Sequence, residues 1–170
     1  MARRYYIKDV VYGANDGIVT TFAVVAGVVG GGLATRAVLI VGVASLFADG
    51  LSMAASNYLG SRSERAVLDH DDGGGPTGVP TVPWISAALT FGAFVLAGAV
   101  PLVPYVLLGC GRRTLLWTAL ATLGVLFAVG ASRSIVTKRP VLSAGLEMTL
   151  IGGASAAVAY VVGHLVSASM

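Results

Sequence analysis

Residues 37–60 read AVLIVGVASLFADGLSMAASNYLG, an apolar run whose one charged side chain is Asp49. Wound as an α-helix at 1.5 Å per residue, the run reaches about 36 Å, enough to cross a hydrocarbon core of about 30 Å. An aspartate near the middle of such a helix costs at least about 2.5 kcal/mol, so it needs a partner, a ligand or a watered path. Ser45, Asp49, Met53 and Asn57 recur every fourth residue, which sets a hydroxyl, a carboxylate, a thioether and an amide along one slowly drifting stripe. The stretch therefore predicts a membrane span with one polar side.

The rest of the chain has the same construction. Upstream, a span from about Val10 to Leu33 is separated from the first by only Ala34, Thr35 and Arg36, which predicts a tight antiparallel hairpin. Downstream, residues from Ser61 to about Pro83 are polar and glycine-rich and read as a linker. Three further spans follow, from about Trp84 to Leu108, Thr114 to Ala131 and Val141 to Val166. Pro101 and Pro104 lie near the far end of the third, where a helix stops or kinks at little cost. The expectation is an all-α integral membrane protein, a single transmembrane domain over residues 1–170 with five helices. Composition agrees: 56% of residues are hydrophobic and 11% charged, against roughly a quarter charged in soluble domains.

With the N-terminus inside, Arg3, Arg4, Lys8, Arg62, Arg65, Arg133, Lys138 and Arg139 are cytoplasmic, whereas Arg36, Arg112 and Arg113 are not. That asymmetry predicts a cytoplasmic N-terminus; in a prokaryotic cell the membrane would be the plasma membrane. The basic residues lie beside spans and so read as topology signals, with no nucleic-acid partner expected. Asp9, Asn15 and Asp16 exclude a signal-peptide reading of the N-terminal run. The lone Cys110 excludes an intrachain disulfide and a thiolate cluster.

The candidate chemistry lies in the first two spans. Asp9 and Asp16 are two helical turns apart on one face, with Thr20 a turn further in. Hydrogen bonding between helices is the alternative account of Thr20, Ser45 and Asn57. Carboxylate oxygens combined with a thioether make a mixed hard and soft donor set, which suits late first-row divalent ions better than calcium or magnesium. Iron(II) or manganese(II) is expected as transported substrate, with no permanently bound cofactor. One chain supplies few ligands, and a homodimer would double them around its axis. Gly13, Gly17, Gly27 and Gly30 to Gly32 permit close helix packing, between chains or within one. Glu147 opens the fifth span beside Met148 and reads as a snorkelling carboxylate or a path-mouth residue. His164 reads as structural, and Asp69, His70, Asp71 and Asp72 as a solvated run or a loose cation site. No assembled nucleophile, base and oxyanion site is visible, so an enzyme is not expected.

The segments Asp9-Val10-Val11-Tyr12-Gly13-Ala14-Asn15-Asp16-Gly17-Ile18-Val19-Thr20-Thr21-Phe22 and Ala48-Asp49-Gly50-Leu51-Ser52-Met53-Ala54-Ala55-Ser56-Asn57-Tyr58-Leu59 together resemble the vacuolar iron transporter family. The resemblance is sharp over the first two spans and follows the span order beyond them. It implies a five-helix protomer, a homodimer with the ion path between subunits, and proton-coupled export of iron(II) or related metals from the cytosol. By motif position Asp9 and Asp16 match acidic residues at the mouth and middle of the family's path, and Met53 matches its pathway methionine. A glutamate of plant-type members falls on Ser45 here, while Asp49 stands one turn later on the same face. The resemblance is to a short form: about twenty polar residues occupy the place of a long, glutamate-rich cytosolic metal-binding domain.

The expectation is thus a divalent-metal and proton antiporter in the bilayer, with metal sites at Asp9, Asp16, Asp49, Met53, Ser45 and Asn57. A non-transporting membrane protein of the same fold, binding metal or scaffolding a complex, is the alternative.

Overall fold

In the computed structural model the described residues are 2–71, 82–108, 112–137 and 140–170. Cys110, Lys138, Arg139 and Asp72 lie outside them, as do the side chains of Arg3, Arg4, Asp69, His70, Asp71, Arg112 and Arg133. The helices are α1 (Ala2–Gly30), α2 (Thr35–Asp71), α3 (Pro83–Gly98), α4 (Val103–Leu108), α5 (Arg112–Thr137) and α6 (Val141–Ala168), with a 3-10 turn at Val100–Leu102 between α3 and α4. Five of the segments they form are long and apolar enough to cross a membrane, α3 and α4 together making the third.

Two boundaries differ from the sequence expectation. The first helix starts at Ala2 rather than about residue 10. The second continues to Asp71, through residues read as linker from Ser61 onward. Ser61-Arg62-Ser63-Glu64-Arg65-Ala66-Val67-Leu68 is too polar to lie in lipid but contains good helix formers. Polarity ends the apolar run, not the helix, and the 37 residues of α2 are more than a bilayer crossing needs.

The hairpin between α1 and α2 closes through a Schellman motif. Leu33 N–H donates to the Val28 carbonyl at 3.2 Å and Gly32 N–H to the Val29 carbonyl at 3.0 Å. Gly32 has φ +71°, the left-handed conformation that this motif requires and that glycine adopts without steric cost. At the other break, Pro101 has no N–H for a helical bond to Ala97. The helix stops at Gly98 and restarts at Val103.

Lipid-solvated bundles pack small residues inward and large apolar ones outward. Here the buried positions recur every four residues: Gly42, Leu46, Gly50 and Ala54 on α2; Ser86, Thr90, Phe94 and Gly98 on α3; Thr114, Thr118, Thr122 and Leu126 on α5; Ala144, Met148, Gly152 and Ala156 on α6. Leucines such as Leu51, Leu96, Leu107 and Leu150 point out. The hub is α1, which packs most extensively on α3 and α6 and also touches α2 and α5. A Cβ on Gly13 would meet the Thr90 carbonyl, one on Gly17 the Phe94 carbonyl and one on Gly30 the Tyr160 carbonyl. Of the two packings open to the first-span glycines, these three are within the chain.

Candidate functional site

The polar stripes of α1 and α2 meet along a common seam, where Asn57 of α2 bonds Asp9 of α1. At the end of the bundle where α1 begins, an open cavity of about 360 Å³ is lined by Lys8, Asp9 and Tyr12 of α1, Met53, Ser56 and Asn57 of α2, and Thr90 of α3. Asn57 organises it. Its Nδ2 donates to Asp9 Oδ1 at 3.2 Å and to Thr90 Oγ1 at 2.6 Å, so both amide hydrogens are engaged across two helix interfaces. Ser61 Oγ donates to its Oδ1 at 3.4 Å. Thr90 in turn donates to the Ser86 carbonyl at 2.9 Å, leaving its oxygen free to accept from Asn57. Lys8 Nζ lies 5.9 Å from the centre of the Tyr12 ring, a cation–π contact at the cavity wall.

Further into the span a second group forms on the same seam. Ser45 Oγ donates to Asp49 Oδ2 at 2.5 Å, the one-turn contact that their spacing allows. Thr20 donates to the Asp16 carboxylate, and Asp49 is close enough to act on Asp16 through its charge. Asp16 is exposed in the single chain, while Asp9, Ser45, Asp49, Met53 and Asn57 are half-buried. The seam thus opens outward.

The structure brings Asp9, Met53 and Asn57 to one cavity and sets Asp16, Asp49 and Ser45 together deeper along the seam. Among the described residues no three His, Cys, Asp or Glu side chains converge on one point. Glu147 and His164 are exposed on α6, and Met148 is buried against Ile18 and Leu126. Thr90, Tyr12 and Ser56 line the cavity without having been expected at the site, and Lys8, read from the sequence as a topology signal, joins them. The available signal for Thr90 was its one-turn spacing from Ser86 in an otherwise apolar span.

Five apolar helices with ionisable side chains on an outward-opening seam define a polytopic membrane protein with a polar track. The sequence profile of the VIT family matches residues 7–74 and 70–164, and the chain belongs to that family. The two matched segments meet at residues 70–74, in the polar connection between the second and third spans, and the first contains the whole seam formed by α1 and α2. The chain is similar to a vacuolar iron transporter of Toxoplasma gondii, 48% identical over 64 residues, 38% of this chain and 21% of that protein. It is similar over more of its length to vacuolar iron transporter 1 of Eucalyptus grandis, 22% identical over 208 residues, 91% of this chain and 84% of the relative. Vacuolar iron transporter 1 of Oryza sativa subsp. japonica is 27% identical over 209 residues, covering 91% and 82%. These last alignments are longer than the 170-residue chain, so both relatives carry residues that it lacks.

Proposed function

We propose that the protein carries divalent transition-metal ions, iron(II) or manganese(II), out of the cytosol across the membrane, by exchange with protons. The observation that carries this reading is the exposure of Asp16 on a seam that also holds Asp49, Met53 and Asp9. Lipid cannot solvate such a face, whereas a second copy of the chain or a hydrated cation can. The names of the relatives point the same way, since each is a vacuolar iron transporter.

In this reading Asp9 and Met53 receive the ion at the cavity, and Asp16 and Asp49 pass it along the seam. Asn57 holds Asp9 in place and Ser45 holds Asp49. A homodimer apposing two seams doubles the donors and keeps each contact weak enough for release. Metal ligation requires an unprotonated carboxylate, so a proton and the ion compete for the same oxygens, and this competition couples the two flows. The N-terminus, where the cavity opens, faces the cytosol in agreement with the distribution of Lys and Arg.

Uptake into proteoliposomes tests the reading, comparing iron(II), manganese(II), zinc and calcium with and without a pH gradient. Saturable, gradient-dependent uptake of iron or manganese is expected. Metal binding without flux from a folded protein would leave a binding or scaffold protein of the same fold.

A further inference from the structure

A second cavity, of about 370 Å³, opens at the same end of the bundle, on the side of α2 turned away from the seam cavity. Its walls are Tyr58, Arg62, Arg65 and Ala66 of α2 with Pro83 and Trp84 at the start of α3. We propose that it binds the phosphate of an anionic phospholipid from the surrounding leaflet. This is independent of the transport reading.

Arg62 and Arg65 are three residues apart, so both project from one helix face. Among the described residues neither guanidinium has a carboxylate partner. The Arg62 guanidinium lies 5.8 Å from the centre of the Tyr58 ring, which props it over the cavity. Two arginines lining one cavity suit a phosphate, which accepts paired N–H bonds from guanidinium groups. The lipid, rather than a free anion, follows from position. The cavity lies where α2 leaves its apolar span. Trp84, 65% exposed, stands at its rim as an interfacial aromatic does. Towards the bilayer interior Ala55 and Leu59 are exposed on α2, offering an apolar surface for acyl chains hanging from the bound headgroup. Tyr6 of α1 accepts a hydrogen bond from the Val82 N–H at 3.1 Å and so fixes the start of α3 against the first helix.

The test is native mass spectrometry of the full chain in detergent, titrated with phosphatidylglycerol or with phosphatidylcholine of the same acyl chains. Retention of phosphatidylglycerol in preference to phosphatidylcholine is expected. Hydrogen bonds to a charged group are strong, so Arg62→Gln with Arg65→Gln should weaken phosphatidylglycerol by at least about tenfold, and phosphatidylcholine, whose choline cation offsets its phosphate, by much less. Arg113→Gln, at the opposite end, should have no effect. In a Trp117→Phe background, brominated phosphatidylglycerol should quench Trp84 fluorescence more than the brominated phosphatidylcholine does, a readout that needs no arginine substitution. Equal retention of the two lipids, an unaffected double variant, or equal quenching would overturn the proposal. Displacement of the lipid by millimolar inorganic phosphate would overturn it in favour of a free-anion site.

Discussion

Asn57 joins groups that local sequence spacing does not connect. Periodicity aligns Ser45, Asp49, Met53 and Asn57 along α2, and the bond from Ser45 to Asp49 follows directly from that spacing. The partners of Asn57 lie 48 and 33 residues away, on α1 and α3, and depend on how those helices dock. Interhelical hydrogen bonds in membrane bundles contribute about 0.6 kcal/mol on average and at most about 1.7, so Asn57→Ala should lower stability by about 1 kcal/mol in thermal unfolding. Asn57→Asp should be worse, because it sets a second carboxylate against Asp9. Combining it with Asp9→Asn restores one carboxylate and one amide and should recover most of the loss. If the double variant is no more stable than Asn57→Asp alone, the Asp9 contact is not the source of the effect.

At the scale of elements, hydropathy located all five spans because lipid imposes long apolar runs, but it could not locate helix ends. The turns of α2 beyond residue 60 are polar and still helical, since backbone bonds within a helix persist in water as in lipid. The docking of α1 on α3 was likewise beyond periodicity. Glycines marked a close approach without identifying the partner, and the structure assigns Gly13 to the Thr90 backbone. Overpacking a tight contact costs about 1–3 kcal/mol, so Gly13→Ala should destabilise by that order. By drawing Thr90 away from Asn57 it should also slow metal uptake. Gly92→Ala, whose added Cβ meets nothing within 4 Å, is the matched control and should be tolerated. Equal melting temperatures for the two variants would show that α1 and α3 are not held at this distance.

In the molecule taken whole, a single chain leaves Asp16 exposed on the polar seam. The polar side chains of the seam were visible in the sequence because carboxylates and a thioether stand out in apolar helices, and its outward opening was not, because exposure depends on the packing of every span. If a second copy covers that face, Ser52→Cys on exposed α2 should cross-link into a dimer in a Cys110→Ser background, with a short thiol-reactive linker in native membranes. Leu96→Cys, 78% exposed on α3, should remain monomeric under the same treatment. The reverse pattern would place the dimer contact elsewhere and detach the seam from the path.

Metal that crosses along this seam in exchange for protons must move together with them. Simultaneous recording of metal uptake and internal pH in proteoliposomes, for the wild-type chain and for Asp49→Asn, tests it most directly. Iron(II) or manganese(II) uptake should be matched by proton movement in the opposite direction, and Asp49→Asn should abolish both while remaining folded. Undiminished metal and proton flux through Asp49→Asn, or no metal movement through the folded wild-type protein, would sink the seam as the path.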